Sequence, residues 1–408
     1  MSLVESEARL GGKIITERVD GFVIEGGPDS FLAVKPRGLG LCRELGLGAR
    51  LRGTHEQARR TYVMYRGQLR QLPEGLTGLV PSRFGPIVKS NLLSPFGKLR
   101  LGMDYLIPPR LASFAARSAS DDESLAAFVS RRLGREAYDR LVEPLLGGIY
   151  AGDGEQLSLA ATFPHLRQAE LEHGGLIKGL LAAQKKAGMA RPFSAFLAPA
   201  TGIAEIVEAL TAQLSGPAIE IRRETRVTRV IAASSTESYT LVLGNGETLR
   251  ADAVLFATPA FVTADLVAGF DPPLANVLRS IPYVSVATIS VAYPLADIPR
   301  PLDGYGYIIP RVEGRAILAC TWASTKFPQR APEGMGLIRV FVGRAGQEAV
   351  VKGTDNDLLN LARDELRDTL GITAPPTLHR VFRWPKAIPQ YTRGHLDRLA
   401  IIDQRCAM

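Results

Sequence analysis

A change of hydrophobic period along the chain limits its possible folds more than any other signal. Up to about residue 80 short strand and turn signals surround one helix-like stretch, strand signals return over 219–259, and over 283–345 apolar and polar residues alternate, which predicts strands. Between about 80 and 215 the apolar residues recur every three to four positions, which predicts helices. No internal repeat or low-complexity tract interrupts this order. An α/β protein with a helical insertion fits it best.

The individual signals are local. Gly21 to Gly26 reads as a short apolar strand, and 61–73 as a hairpin turning at Arg66-Gly67. Residues 37–51 are helix-like, with Leu41, Leu45 and Leu47 near one side. The stretch 121–134 offers an Asp start, then Leu125, Phe128, Val129 and Leu133 at helix spacing, and Gly134 as a stop. Gly202 to Leu214 repeats that logic. Strands are predicted over 219–233, and 239–259 reads as a hairpin at Asn245-Gly246 leading into a buried strand. Residues 356–371 predict a helix ending at Gly371.

With 408 residues the chain can form two or three domains. It has no apolar run of membrane-spanning length, and Glu5 and Glu7 without a basic flank argue against a signal peptide. Cys42, Cys320 and Cys406 are scattered, which speaks against a zinc site or disulfide framework and suits a reducing cytoplasm. His165 and His173 could share a helix face, but no further ligand stands at metal spacing, so no metal is expected. The net charge of +8 is spread without a basic run, so nucleic acid is not expected; an acidic small molecule or an anionic membrane would use the same excess.

A dinucleotide-binding unit needs G-x-G-x-x-G after its first strand and an acid at the end of its second. The glycine fingerprint is absent; every G-x-G present lacks the third glycine and reads as a turn. The opening residues do fit the part of such a unit that lies beyond the fingerprint. Ser2-Leu3-Val4-Glu5 would end the second strand with Glu5 at a ribose, Arg9 could neutralise phosphate, and Gly11-Gly12 would let a loop pass close to a planar ligand. A solvated terminal Glu5 and a plain Gly-Gly turn are the alternative.

The stretch VESEARLGGKIITERVDGFVIEGGPDSFLAVKP resembles the flavin-dependent protoporphyrinogen and coproporphyrinogen oxidases of haem synthesis, within the flavin amine oxidase superfamily. The resemblance continues through 141–166, 251–259 and 383–399, covering essentially the whole chain in order. It implies FAD as cofactor, with an incomplete Rossmann-like FAD-binding domain at 1–60, 200–262 and 383–408. It further implies a mixed-sheet substrate domain at 61–80 and 263–382, and a helical domain at 81–199.

By resemblance, Glu5 binds the ribose, and Ser6, Arg9, Gly12 and Lys13 are cofactor-binding positions. Gly27, Pro28, Asp29 and Ser30 form the loop beside the isoalloxazine ring, Val227 supplies a backbone contact to adenine, and Trp384 is an aromatic near the flavin. Gly148 matches a substrate-side glycine, with packing as the alternative; core packing is likewise the alternative for Trp384 and Val227. The G-P-D-S loop sides with the bacterial branch, where coproporphyrinogen is a common substrate. No residue is assigned as catalytic, because the cofactor carries the difficult step.

The implied reaction removes hydride from a meso carbon to flavin N5 and protons from the pyrroles, with molecular oxygen reduced to hydrogen peroxide, in three rounds. An amine oxidase or carotenoid desaturase of the same fold, or a non-catalytic fragment, are the alternatives. The resemblance also implies that the family's first strand and closing segment lie outside this chain, from which weak FAD binding, or none, is expected. Residues 79–110 mix apolar with basic residues, and read either as a peripheral membrane surface on a cytoplasmic protein or as a helical lid.

Overall fold

The computed structural model describes residues 1–55, 60–73, 76–77, 80–81, 84–110, 122–186, 194–232 and 238–407. Its largest element is a seven-stranded mixed sheet in the order Leu378–Pro389, Tyr283–Pro294, Met335–Val342, Ile317–Trp322, Gly304–Ile308, Arg60–Tyr65 and Gln68–Gln71. All neighbours are antiparallel except Gly304–Ile308 with Arg60–Tyr65. The expected Arg66-Gly67 turn is there, with both residues at positive φ as a tight two-residue hairpin requires.

Strand alternation gives this sheet two different faces. On one, Ala287, Ile289, Val291, Ile338, Val340 and Val342 share a core with Leu358, Ala362, Leu366 and Leu370 of helix Asp355–Leu370. Thr354 and Asp357 close a capping box at its start, and Gly371 ends it at φ +75°. Burying each of those leucines contributes about 2 kcal/mol, enough to fix the helix on the sheet.

The opposite face is shared by two units. At one end the hairpin Thr16–Val19 with Phe22–Glu25 packs Phe22 and Ile24 against Ala292 and Leu337. At the other, Leu125, Phe128, Val129, Leu133, Leu141 and Leu146 of the helical stretch form one core with Val284, Ile308, Leu318 and Ala319. Register sets two rows across this face. Phe382, Thr288, Phe341, Ala319 and Ile308 form one, and Arg380, Ser290, Arg339, Thr321 and Gly306 the next.

Strand Ser2–Val4 pairs in parallel with Glu220–Arg222. Beyond it lies a three-stranded antiparallel sheet, Val227–Ala232, Tyr239–Leu243 and Thr248–Ala251, with the expected turn at Asn245-Gly246.

Several expectations need correction. The buried strand expected after that hairpin is not one: 252–258 makes no ladder among the described residues, and Leu255 is 94% exposed. The helix over 37–51 stops at Glu44, and a short 3-10 turn, Gly48–Arg50, comes after it. Gly46 at φ +73° ends it, a signal that outweighs the leucine spacing. The helical run to 215 is broken by strand Phe196–Pro199, which pairs with Leu51–Gly53 and Phe31–Leu32; tertiary pairing overrides the local pattern. The helix Leu125–Leu133 is capped by Ser124, whose hydroxyl accepts from Ala127 N. Asp121, its expected start, lies outside the described residues, as do Leu79, Ser82 and Arg83 of the 79–110 segment.

Candidate cofactor and substrate site

Strand Phe22–Glu25 runs straight into Gly26 and Gly27, and their bare backbone is forced by contact. A Cβ on Gly26 would lie 2.7 Å from the Phe382 ring, and one on Gly27 only 1.8 Å from the Lys13 carbonyl. Gly26 O accepts from Trp384 Nε1 at 2.8 Å, Thr288 Oγ1 at 3.2 Å and Arg339 Nη2 at 3.1 Å. Gly27 O accepts from the same Arg339 Nη2 at 2.6 Å. The loop is therefore pinned to the sheet by three side chains more than 250 residues away in sequence.

Beyond it, Asp29 accepts from Ser30 Oγ at 2.6 Å and Lys326 Nζ at 2.8 Å, while Arg330 donates to Asp29 O at 2.5 Å and to Glu25 Oε1 at 3.1 Å. Burial alone would raise the Asp29 carboxyl, but Lys326 and Arg330, with the Lys326 and Ser30 hydrogen bonds, hold it well below the usual carboxylate range. Glu25, also held by Thr16 Oγ1 and Ile203 N, is pushed upward by burial against the pull of Arg330. Three cations, Lys326, Arg330 and Arg339, thus meet two carboxylates, Glu25 and Asp29, in one largely buried cluster.

The N-terminal end is built differently. Glu5 stands just past the strand pair, its amide on Arg222 O and its carbonyl accepting from Thr225 N, both at 2.8 Å. Its half-buried carboxylate accepts from Glu7 N at 2.9 Å and Ser6 Oγ at 3.2 Å. This brings Glu5 within two residues of the start of strand Val227–Ala232, so Glu5, Ser6 and Val227 lie in one region. Arg9, expected at phosphate, is turned back onto the carbonyls of Leu10, Gly12 and Ile14. Gly12 sits at φ +53° in open space, and Lys13 reaches the carbonyl of Ala387, its ammonium pKa lowered by burial.

Gly148 lies in helix Glu143–Tyr150, where a Cβ would touch Ile308 Cγ2 at 3.4 Å, so helix and sheet row approach closely there. Farther on, Tyr150 and Phe163 meet edge to face, and Phe163 contacts His165. Among the described residues no cluster of metal-ligating side chains occurs.

Sequence reasoning missed Arg339, Arg330 and Lys326. The available signal was a lone charge in an apolar strand (GLIRVFVG), which is anomalous when both faces are buried.

An isoalloxazine is flat and carries carbonyl acceptors along one edge. A loop stripped of side chains, backed by a cation surplus and a buried Arg339 Nε that has no partner among the described residues, fits such a group. An acid after a parallel strand pair and a glycine loop against a mixed sheet suit a flavin-binding oxidoreductase fold. The chain belongs to the flavin containing amine oxidoreductase family, whose profile matches residues 1–402. It is 36% identical to coproporphyrinogen III oxidase of Bacillus subtilis (strain 168) over 98% of this chain and 83% of that one. It is 30% identical to protoporphyrinogen oxidase of Homo sapiens, with 97% and 84% covered. A crystal structure from Exiguobacterium sp. 255-15, assigned to protoporphyrinogen oxidase, superposes with TM-score 0.84 at 29% identity, covering 99% and 84%.

Proposed function

We propose that this chain catalyses the six-electron oxidation of a porphyrinogen to the porphyrin in haem biosynthesis. Coproporphyrinogen III is its first candidate substrate and molecular oxygen its terminal oxidant. The observation that carries this reading is the 36% identity to a coproporphyrinogen III oxidase across 98% of the chain. Once bound, FAD would supply the redox chemistry, as acceptor of the electrons removed from the porphyrinogen and donor of electrons to oxygen.

The protein's own part is binding, orientation and exclusion of water. We assign Glu5, Ser6 and Val227 to the adenosine end, Arg9, Gly12 and Lys13 to the region between, and Gly27 to Ser30 with Trp384 to the isoalloxazine. The apolar row Phe341, Ala319 and Ile308, facing Gly148, suits a large tetrapyrrole face. The division into FAD-binding, substrate and helical domains is part of the same proposal.

We also assign peripheral membrane contact to helix Pro95–Gly102 and the turn after it, on a protein of the cytoplasm. Phe96 (84% exposed), Leu99, Met103 and Leu106 (80% exposed) lie bare there, and no described helix is long and apolar enough to cross a membrane.

Adding coproporphyrinogen III or protoporphyrinogen IX to the FAD-loaded protein in air tests the function. The expected result is porphyrin fluorescence rising with protein concentration, with about three peroxides per porphyrin by electron balance. No rise above the protein-free rate with either substrate would overturn it.

A further inference from the structure

Arg339 combines features that stability alone does not explain. It is only 5% exposed, yet among the described residues it makes no ion pair within 4.0 Å. Burying a guanidinium with no carboxylate in direct contact is unfavourable, and an apolar side chain in that strand position would pack at lower cost. Its hydrogen bonds go to the two carbonyls of Gly26 and Gly27, its Nε–H has no partner among the described residues, and its guanidinium carbon sits 4.7 Å from the centre of the Phe341 ring. Burial lowers its pKa to about 10, against the pull of Asp29 and Glu25, so it stays cationic at neutral pH.

The Gly27 carbonyl matters most. The peptide it belongs to leads into Pro28, which has no N–H, so that carbonyl is the peptide's only polar handle. Arg339 is its hydrogen-bond partner among the described residues, whereas Gly26 O keeps Trp384 and Thr288 as well. The orientation of the Gly27-Pro28 peptide therefore depends on this one side chain.

We infer that Arg339 is a positioning residue for the flavin: from the sheet it fixes the Gly27-Pro28 peptide against the ring and sets a buried positive charge behind it. The inference rests on the assignment of Gly27 to Ser30 to the isoalloxazine. Arg339→Met keeps the volume and removes charge and donors; Arg339→Lys keeps the charge and can still donate; Arg339→Gln, neutral and polar, is made in parallel. Each is titrated with FAD, and its flavin absorption spectrum and reduction potential are recorded.

The expected result is FAD affinity about tenfold or more weaker in R339M, a shifted spectrum and a lower potential, with R339K close to wild type. Should R339M show no cooperative thermal transition, R339Q takes its place in the comparison. Lys and Met (or Gln) variants impaired alike would reduce Arg339 to packing, and variants indistinguishable from wild type would remove any role; either overturns the inference. Pro28→Trp separates it from its premise, because an indole beside the ring perturbs flavin absorption and fluorescence. Flavin unchanged in P28W refutes the loop assignment, and with it the inference. Flavin perturbed in P28W but unmoved in R339M and R339Q refutes the inference alone.

Discussion

Gly12 and Gly27 show how differently a single missing Cβ can act. Gly12 has positive φ but no atom of the described residues within 4 Å of where a Cβ would sit, so Gly12→Ala meets only the left-handed backbone penalty, about 1 kcal/mol. Gly27 has ordinary φ, yet its Cβ would overlap the Lys13 carbonyl, and two backbone segments would have to separate. Gly27→Ala is expected to destabilise by about 3 kcal/mol and to abolish FAD retention. Thermal denaturation and bound-flavin absorbance of the two variants check this; equal losses would refute it. The pair Gly26-Gly27 was visible in the sequence, and its resemblance pointed to the flavin. The reason for each glycine was not visible, because the obstructing atoms belong to Phe382 and Lys13. Arg339 was hidden for the same reason, its partners lying 312 and 313 residues away.

Elements were legible where local chemistry decides them. The Arg66-Gly67 and Asn245-Gly246 turns and the Gly134 and Gly371 stops arise from backbone conformations that their own residues impose. Strand Phe196–Pro199 was not, since its identity comes from pairing with Leu51–Gly53. Helix Pro95–Gly102 lies between these cases. Gly97, Leu101 and the nearby Asp104 face inward, so the three-to-four spacing leaves Phe96, Leu99 and Met103 outward. Its inner face is fixed by Ser94 accepting from Gly97 N and by Arg100 donating to the carbonyls of Ser130, Arg131 and Arg132. Such a stripe on a chain of net charge +8 should bind anionic bilayers. The protein is expected to float with phosphatidylserine-containing vesicles, less so at high salt, and Phe96→Ser with Leu106→Ser to abolish flotation. Flotation unaffected by that double change would rule out the stripe as the contact.

Across the molecule as a unit, acid response depends on groups on separate elements. His165 is pressed by burial and by Lys35, and His395 by burial and Arg398 against the pull of Asp122, so both have lowered pKa values. His395 is buried, its Nδ1 has no partner among the described residues, and it stacks on Tyr391 at 4.3 Å, where the chain joins the helical unit to helix His395–Cys406. For both residues the unfolded chain takes up a proton near pH 6.5 while the folded protein still resists it. Their stability contribution is thus complete above about pH 6.5 and is lost as pH falls below it. Glu25, Glu143 and Glu365, whose pKa values are raised chiefly by burial, act in the opposite sense, relieving strain as they protonate. The stabilisation from Asp29, whose carboxyl is held low, begins to be lost only as pH falls below the unfolded carboxylate value of about 4. Comparing wild type with a His165→Gln/His395→Gln variant isolates the histidines, because the carboxylates are common to both. Between pH 8 and pH 5.5 the wild-type Tm should fall further than the variant's, by on the order of 2 °C. Parallel Tm curves across that interval would show that neither imidazole resists its proton in the folded protein.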